Sequence, residues 1–356
     1  MAEETTNGGN IAVSPVNKDK GGFKASKYIF VLVALENMGF AANMASLVLY
    51  FMGIMFFDLS GSANTVTNFL GSTFLLSLVG AFISDTYLSR FTTCLLFGVL
   101  EVVGLAMMAI QAYSDRLHPK PCGKPSCDLK GGVALMLHAS LSVLALGAGG
   151  VEGCLPALGG DQFDQKDPKE AKALPAFFNW LLLSTVLGAA VGVTGIVWIS
   201  TKKSWYWGFF ISTVGTFLGF VVLTLGKRAF RLDVPTESPL IRITQVIVVA
   251  IKNRHLPLPE NPDELYEIKE EGQDCGEEKI RNTTQFRWLD KAAILPNDTT
   301  SPAPWKVCTV TQVEEVKVLT RMLPILGSTI IMNTCLAQLQ TFSVEQGNFM
   351  DGQFHG

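Results

Sequence analysis

Apolar residues along this chain gather into long unbroken runs instead of alternating with polar ones. Crossing about 30 Å of hydrocarbon at about 1.5 Å per residue takes roughly 20 mostly uncharged helical residues. Six segments meet that requirement, at residues 28–51, 66–84, 91–113, 132–158, 177–200 and 206–225. A seventh, at residues 323–342, also meets it, although Pro324, Asn333 and Gln338 make it the most polar. The pattern predicts an all-α membrane protein. A tail covers residues 1–27, a six-helix bundle 28–225, a polar linker 226–320, and a seventh span with a short end 321–356.

The linker is not uniform. Leu240, Ile243, Ile247 and Ile251 recur at helical spacing, with Arg242, Gln245 and Lys252 towards another face. That run, residues 239–254, is too short to span, so it reads as an amphipathic helix lying along the membrane surface. Residues 256–300 are rich in Pro, Glu and Asp and read as a flexible tether.

Charge then orients the bundle. Lys18, Lys20, Lys24 and Lys27 precede the first span; Arg90, Lys166, Lys169, Lys172, Lys227, Arg228 and Arg231 occupy loops on the same side. Lysine and arginine are retained on the cytoplasmic side, which places the N-terminus and the linker in the cytoplasm, despite Arg116, Lys120, Lys124, Lys130, Lys202 and Lys203 on the other side. The tail lacks an apolar core of signal-peptide type, so the first span stays as an uncleaved helix. A net charge of −3 argues against a nucleic-acid partner.

The seven cysteines form no metal-ligand pattern. Cys94, Cys154 and Cys335 read as packing residues, and Cys122 and Cys127 share an outer loop where either a disulfide or two free thiols would fit. Two glycosylation sequons, at Asn282 and Asn297, fall in the linker; a glycan on either would invert the orientation.

Ionisable residues inside the spans carry the sharpest signal, because each costs about 2.5–3.5 kcal/mol on insertion scales and marks a pathway more often than a packing position. Glu36, Glu101 and Glu152 lie near the middle of spans one, three and four. His138, a turn inside the outer end of span four, reads as a packing residue. Asp85 and Arg90 bracket the turn between spans two and three, where a charge pair either latches neighbouring helices or caps them. Asp161 and Asp164 end span four beside Lys166 and Lys169, as gate or anchor residues. Gly149 with Gly153, and Gly188 with Gly192, have the small-xxx-small spacing of closely packed helices.

Four motifs in order resemble the plant nitrate/peptide transporter family, a branch of the proton-dependent oligopeptide transporters within the major facilitator superfamily. They are Asn64-Thr-Val-Thr-Asn-Phe-Leu-Gly71; Gly80-Ala-Phe-Ile-Ser-Asp85-Thr-Tyr-Leu-Ser-Arg90; Gly149-Gly-Val-Glu152 with Asp161-Gln-Phe-Asp164; and Thr309-Val-Thr-Gln-Val-Glu-Glu-Val-Lys317 with Arg321-Met-Leu-Pro324. Leu35-Glu-Asn-Met-Gly39 and Phe286-Arg-Trp-Leu-Asp-Lys291 are most similar to the fourth plant subfamily, whose members carry abscisic acid and in some cases nitrate. The resemblance implies a major facilitator-type N-terminal six-helix bundle followed by the first helix of an incomplete C-terminal half. It implies a small-molecule substrate, with coupling to a proton gradient left open. No cofactor or metal is expected from the residues, and the multi-pass chain is expected in the plasma membrane, although a vacuolar or other internal membrane would have the same physics.

The chain departs from the family where coupling is expected. Relatives carry Glu-x-x-Glu-Arg on span one and Lys on span four; the matching positions here are Val33, Glu36, Asn37 and Glu152. This points to Glu36 and Glu152 as a protonation or polar-recognition centre able to share one proton, with Asn37 giving a neutral hydrogen bond in place of Arg. Either Glu serving only to hold helices together is the alternative. The nitrate-carrying relative's span-seven His corresponds to Leu336, which speaks against nitrate bound in that manner.

After Asn348-Phe-Met-Asp351 the chain has five more residues, where the resembled family continues through five further spans. The expectation is a chain that does not transport alone, and either belongs to a complete transporter or associates with a full-length one. A seven-helix receptor fits the span count but not a cytoplasmic N-terminus or the long linker. An enzyme is disfavoured, because no nucleophile, metal or cofactor constellation occurs in the sequence.

Overall fold

The computed structural model describes residues 20–120, 129–164, 167–232, 239–258, 265–267, 282–295 and 305–349. Six helical spans assemble first: α1 (Gly22–Gly53), α2 (Leu59–Thr86), α3 (Arg90–Tyr113), α4 (Gly131–Gly160), α5 (Pro168–Val191) and α7 (Trp205–Leu225). The fifth span continues through a single π turn, Gly192–Ile196, into α6 (Val197–Lys202). All six are long and apolar enough to cross a bilayer. Local chemistry sets several of their starts. The Asp58 carboxylate accepts from the Gly61 amide at 3.2 Å, Ser89 from Thr92 at 3.4 Å, and Asp167 from Lys169 at 2.9 Å, with Pro168 pre-set for the first helical position.

Packing follows the small residues. Helix α4 wedges between α2 and α3, and α1 packs on α5 and α7. A methyl group on Gly149 or Gly153 would collide with the Thr73 or Ser77 carbonyl of α2, one on Gly147 with the Glu101 backbone of α3, and one on Gly188 or Gly192 with the Ala34 or Met38 carbonyl of α1. The paired glycines therefore act as contact surfaces, as their spacing predicts.

The interior divides into two apolar clusters. One, away from the linker, contains Leu47, Tyr50, Phe51, Met55, Phe69, Met108, Leu137 and Phe209. The other, at the linker end, contains Ile29, Leu32, Phe91, Phe97, Leu158, Phe220 and Leu223. Between them, α1 and α3 contribute Glu36 and Glu101.

Beyond the bundle come α8 (Pro239–Lys252) and α9 (Val310–Phe349), the latter running through residues 323–342 with exposed Leu323, Ile325, Leu326, Ile330 and Ile331. The structure adds detail to α8 and corrects one expectation for the linker. Helix α8 exists, but it buries Val246, Val249 and Ala250 against protein, while Ile247 and Ile251 of the expected stripe face outwards. The tether is not slack throughout: Leu265, Leu289, Ala292 and Ala293 close a small core with α8 and the start of α9. The reason is apolar burial reinforced by backbone pairing of Tyr266 N–H with Ala293 O (2.8 Å), Cys308 N–H with Ala292 O (2.9 Å) and Val310 N–H with Tyr266 O (3.1 Å). Cys122, Cys127, the Asn297 sequon and Lys166 lie outside the described residues, as does the Leu336 side chain.

Candidate functional site

Two groups of polar residues stand out in the bundle. The first lies in the layer between the apolar clusters. Glu36 is 7% exposed and Glu101 3% exposed, whereas Glu152 on α4 is exposed. Glu36 lies within electrostatic range of both Glu101 and Glu152, and Glu101 of Glu152. One Glu101 carboxylate oxygen is buried without a hydrogen-bond partner. Among the described residues no ion pair reaches any of the three. Asn37 spends one amide N–H on the Val33 carbonyl of its own helix, at 3.0 Å, and its side chain is half-buried beside this layer. The three carboxyls therefore lie within electrostatic reach of one another, Glu101 included.

The second group closes the linker-side end. Arg90 reaches Asp85 through Nε (3.1 Å) and Nη2 (3.0 Å), and bonds both carboxylate oxygens of Asp161 through Nη1. One guanidinium thereby ties the α2–α3 turn to the end of α4, a fork geometry that lysine does not reproduce. Asp161 takes Arg90 as partner, a pairing across 71 residues that local reading did not foresee. Asp164 gives its backbone N–H to Glu170 at 2.6 Å.

Beside it stands a set that the sequence reading missed. Arg231, just after α7, holds Glu170 in two hydrogen bonds of 2.7 and 3.0 Å. Gln162 exchanges hydrogen bonds with the Arg231 backbone at 2.8 and 3.2 Å, and its own carbonyl accepts from Gly22 N–H at 2.6 Å. Only the sign of Arg231 was legible beforehand.

His138 is not a packing residue. It is exposed, with Nδ1 2.8 Å from the Ala134 carbonyl, and it lines a cavity of about 340 Å3 with Thr65, Asn68, Ser72 and Ser142 on the α2–α4 face. The described residues contain no group of three or more His, Cys, Asp or Glu side chains placed to hold a metal ion.

The sequence itself decides the family. Residues 91–356 match the model of the POT family. The chain belongs to the POT family. Among curated relatives, Protein NRT1/PTR FAMILY 4.3 of Arabidopsis thaliana is 39% identical over 95% of this chain and 58% of its own length. Protein NRT1/PTR FAMILY 4.6 of the same plant is 37% identical, covering 93% of this chain and 60% of its own length. Further members of subfamily 4 match at 37–38% identity, which places the chain in that plant branch of the POT family. The chain spans about 60% of the length of the first two relatives. A crystal structure of the POT family transporter PepTSo superposes with a TM-score of 0.52, covering 64% of this chain and 45% of its own at 19% identity. An auto-inhibited POT family peptide transporter gives 0.54, covering 67% and 43% at 18% identity. At that identity the likeness concerns the fold, a major facilitator-type six-helix bundle with further helices after it.

Proposed function

We propose that this chain supplies the proton-handling half of a secondary transporter for a small organic anion of abscisic acid type, driven by a proton gradient across the plasma membrane. The observation that carries the reading is the uncompensated carboxyl layer of Glu36, Glu101 and Glu152. An unpaired ionisable group at mid-bundle is costly and marks a pathway. With no counter-cation among the described residues, a proton would neutralise such a layer in transit, and Asn37 offers a neutral donor where an arginine would have fixed the charge. Nitrate held by a span-seven histidine ranks behind an organic anion, given Leu336 at that position.

The Arg90 cluster would serve as the cytoplasmic gate, since charge pairs between helix ends that rock against each other can form in one state and open in the other. On that reading the N-terminus and the linker would lie on the cytoplasmic side with the gate. The outward stripe of α8, with Ile247, Ile251 and Lys252, would rest on the membrane surface.

Uptake by the complete transporter tests the reading. Glu36→Gln and Glu152→Gln should each flatten the pH dependence of uptake. If both leave uptake and its pH profile as they were, the carboxyl layer is structural and the proposal fails.

A second reading rests on the α2–α4 face. Asn68, Ser72, Ser142 and His138 are polar groups exposed on membrane-length helices, and such groups require protein or water opposite them rather than lipid. The complementary half would cover them, whether from the same polypeptide or from a full-length transporter. Co-purification of a tagged full-length relative with this chain tests the latter, and loss of that association in an Asn68→Leu/Ser72→Leu variant would tie it to this face.

A further inference from the structure

The linker contains an ion cluster separate from the carboxyl layer. Lys317, in the third turn of α9, is fully buried. Its ammonium lies 2.7 Å from Asp290 and 2.7 Å from Glu314, and donates to the Thr283 carbonyl at 2.9 Å. Three N–H donors therefore meet three acceptors, which is the full capacity of a lysine.

The acceptors are themselves held. Glu314 takes the Thr283 amide at 2.9 Å and the Thr283 hydroxyl at 2.8 Å. Asn282 donates to Asp290 at 3.1 Å, and Arg321 donates to the Thr283 hydroxyl at 2.8 Å. Apart from the Lys317–Glu314 pair within α9, every bond in this ring joins the segment 282–290 to itself or to the first turns of α9. On its other side the chain from 289 to 293 packs Leu289, Ala292 and Ala293 against Val246 and Val249 of α8 and Val313 and Val316 of α9. Asn253 also donates to the Lys291 carbonyl at 3.2 Å, and Lys291 to the Arg254 carbonyl at 2.6 Å, which fastens the end of α8 to the same body.

A buried ammonium with fully satisfied carboxylates contributes little net stability compared with an apolar core, but removing one partner is strongly destabilising. Such a cluster enforces one arrangement more than it strengthens the fold. From this geometry we propose that α8, residues 282–293 and the root of α9 form one ion-locked body that moves with α9 as a rigid attachment. Lys317 is the positioning residue of that body. Its role does not depend on the proton-handling reading of Glu36 and Glu152.

The chain carries its own reporter. Cys308 is buried in the linker core, and burial pushes its thiol pKa up to about 11, so a water-soluble maleimide reacts with it at neutral pH only when the core opens. Hydrogen exchange and Cys308 labelling, read by peptide mass spectrometry on the full 356-residue chain in lipid nanodiscs, test the proposal. In the unaltered chain, amides of 289–293 and 313–317 should share one level of protection. Asp290→Asn and Lys317→Met should lower that protection in both segments together and speed Cys308 labelling at least about tenfold, with the amides of α1 to α7 unchanged. Free-coil exchange of 289–293 in the unaltered chain overturns the proposal. So does a loss confined to 289–293 that leaves 313–317 protected. If Lys317→Met does not yield folded protein, Thr283→Ala removes the hydroxyl between Glu314 and Arg321 and applies the same two criteria with a smaller change.

Discussion

The bundle and the linker both bury carboxyl groups, and they surround them in opposite ways. Around Lys317, two carboxylates share one ammonium and each has a further donor. In the bundle, Glu36 and Glu101 face each other's charge with no ion pair among the described residues, and one Glu101 oxygen lacks any hydrogen bond. Complete pairing fixes a position, because each group would lose its partner on moving. Incomplete pairing leaves a group responsive to whatever next enters the site, whether proton, water or substrate. The same residue type is therefore a rivet in the linker and, on the proposed function, a movable charge in the bundle.

Substitutions can break that contrast. The largest effect is expected from Lys317→Met, which strands two buried carboxylates and should cost the linker body about 3–5 kcal/mol, read as lost hydrogen-exchange protection. Next is Gly147→Val, where the side chain would drive α4 off the Glu101 backbone; overpacking of about 1–3 kcal/mol should appear as a lower melting temperature of the whole bundle.

Acid sharpens the contrast in the linker. Burial opposes ionisation of Glu314, but its bonds to Lys317 and Thr283 outweigh that, and its pKa lies below the ordinary 4.5. A depressed folded-state pKa contributes stability that is present above the unfolded value and is lost as pH falls through the folded one. Protection of residues 282–293 should therefore hold at neutral pH and fade only below about pH 4.5, and Glu314→Gln should remove that acid sensitivity.

Smaller still is Arg90→Lys, which surrenders the forked contact between Asp85 and Asp161 at a partly exposed site; about 0–1 kcal/mol should be lost from the melt. The smallest stability change belongs to Glu36→Gln. Replacing an unpaired buried carboxyl by a neutral amide of the same shape should leave the melt unchanged or slightly raised, and a fall of several degrees would show that Glu36 is a rivet after all.

The legible and illegible parts of the chain divide along physical lines. The six spans were readable because membrane thickness imposes a length, and residues 28–225 satisfy it segment by segment. Glu36, Glu101 and Glu152 were readable because an acid inside an apolar run has no bland solvated explanation. The partnership of Arg90 with Asp161 was not, since it joins residues 71 positions apart and neither neighbourhood announces the other. Glu170 and Arg231 were hidden for the same reason. The linker core escaped because Leu265, Leu289, Ala292, Ala293 and Cys308 are scattered at no single period, within a stretch whose composition suggests solvation. Nothing in the sequence around Lys317 announces its burial, and only the convergence of Thr283, Asp290 and Glu314 reveals it.

The π turn at Gly192–Ile196 also has a consequence for how this chain is compared with others. It places one more residue in the fifth span than a regular α-helix of the same rise would hold, while Gly192 and Ile196 both stay buried against neighbouring helices. A relative whose fifth span is regular will align with this one only through a single-residue gap inside the membrane, where gaps are ordinarily disallowed. Ungapped alignment would pair every position from Val197 to Lys202 with a residue about 100° round the helix, and any residue role transferred across it would land one place out of step.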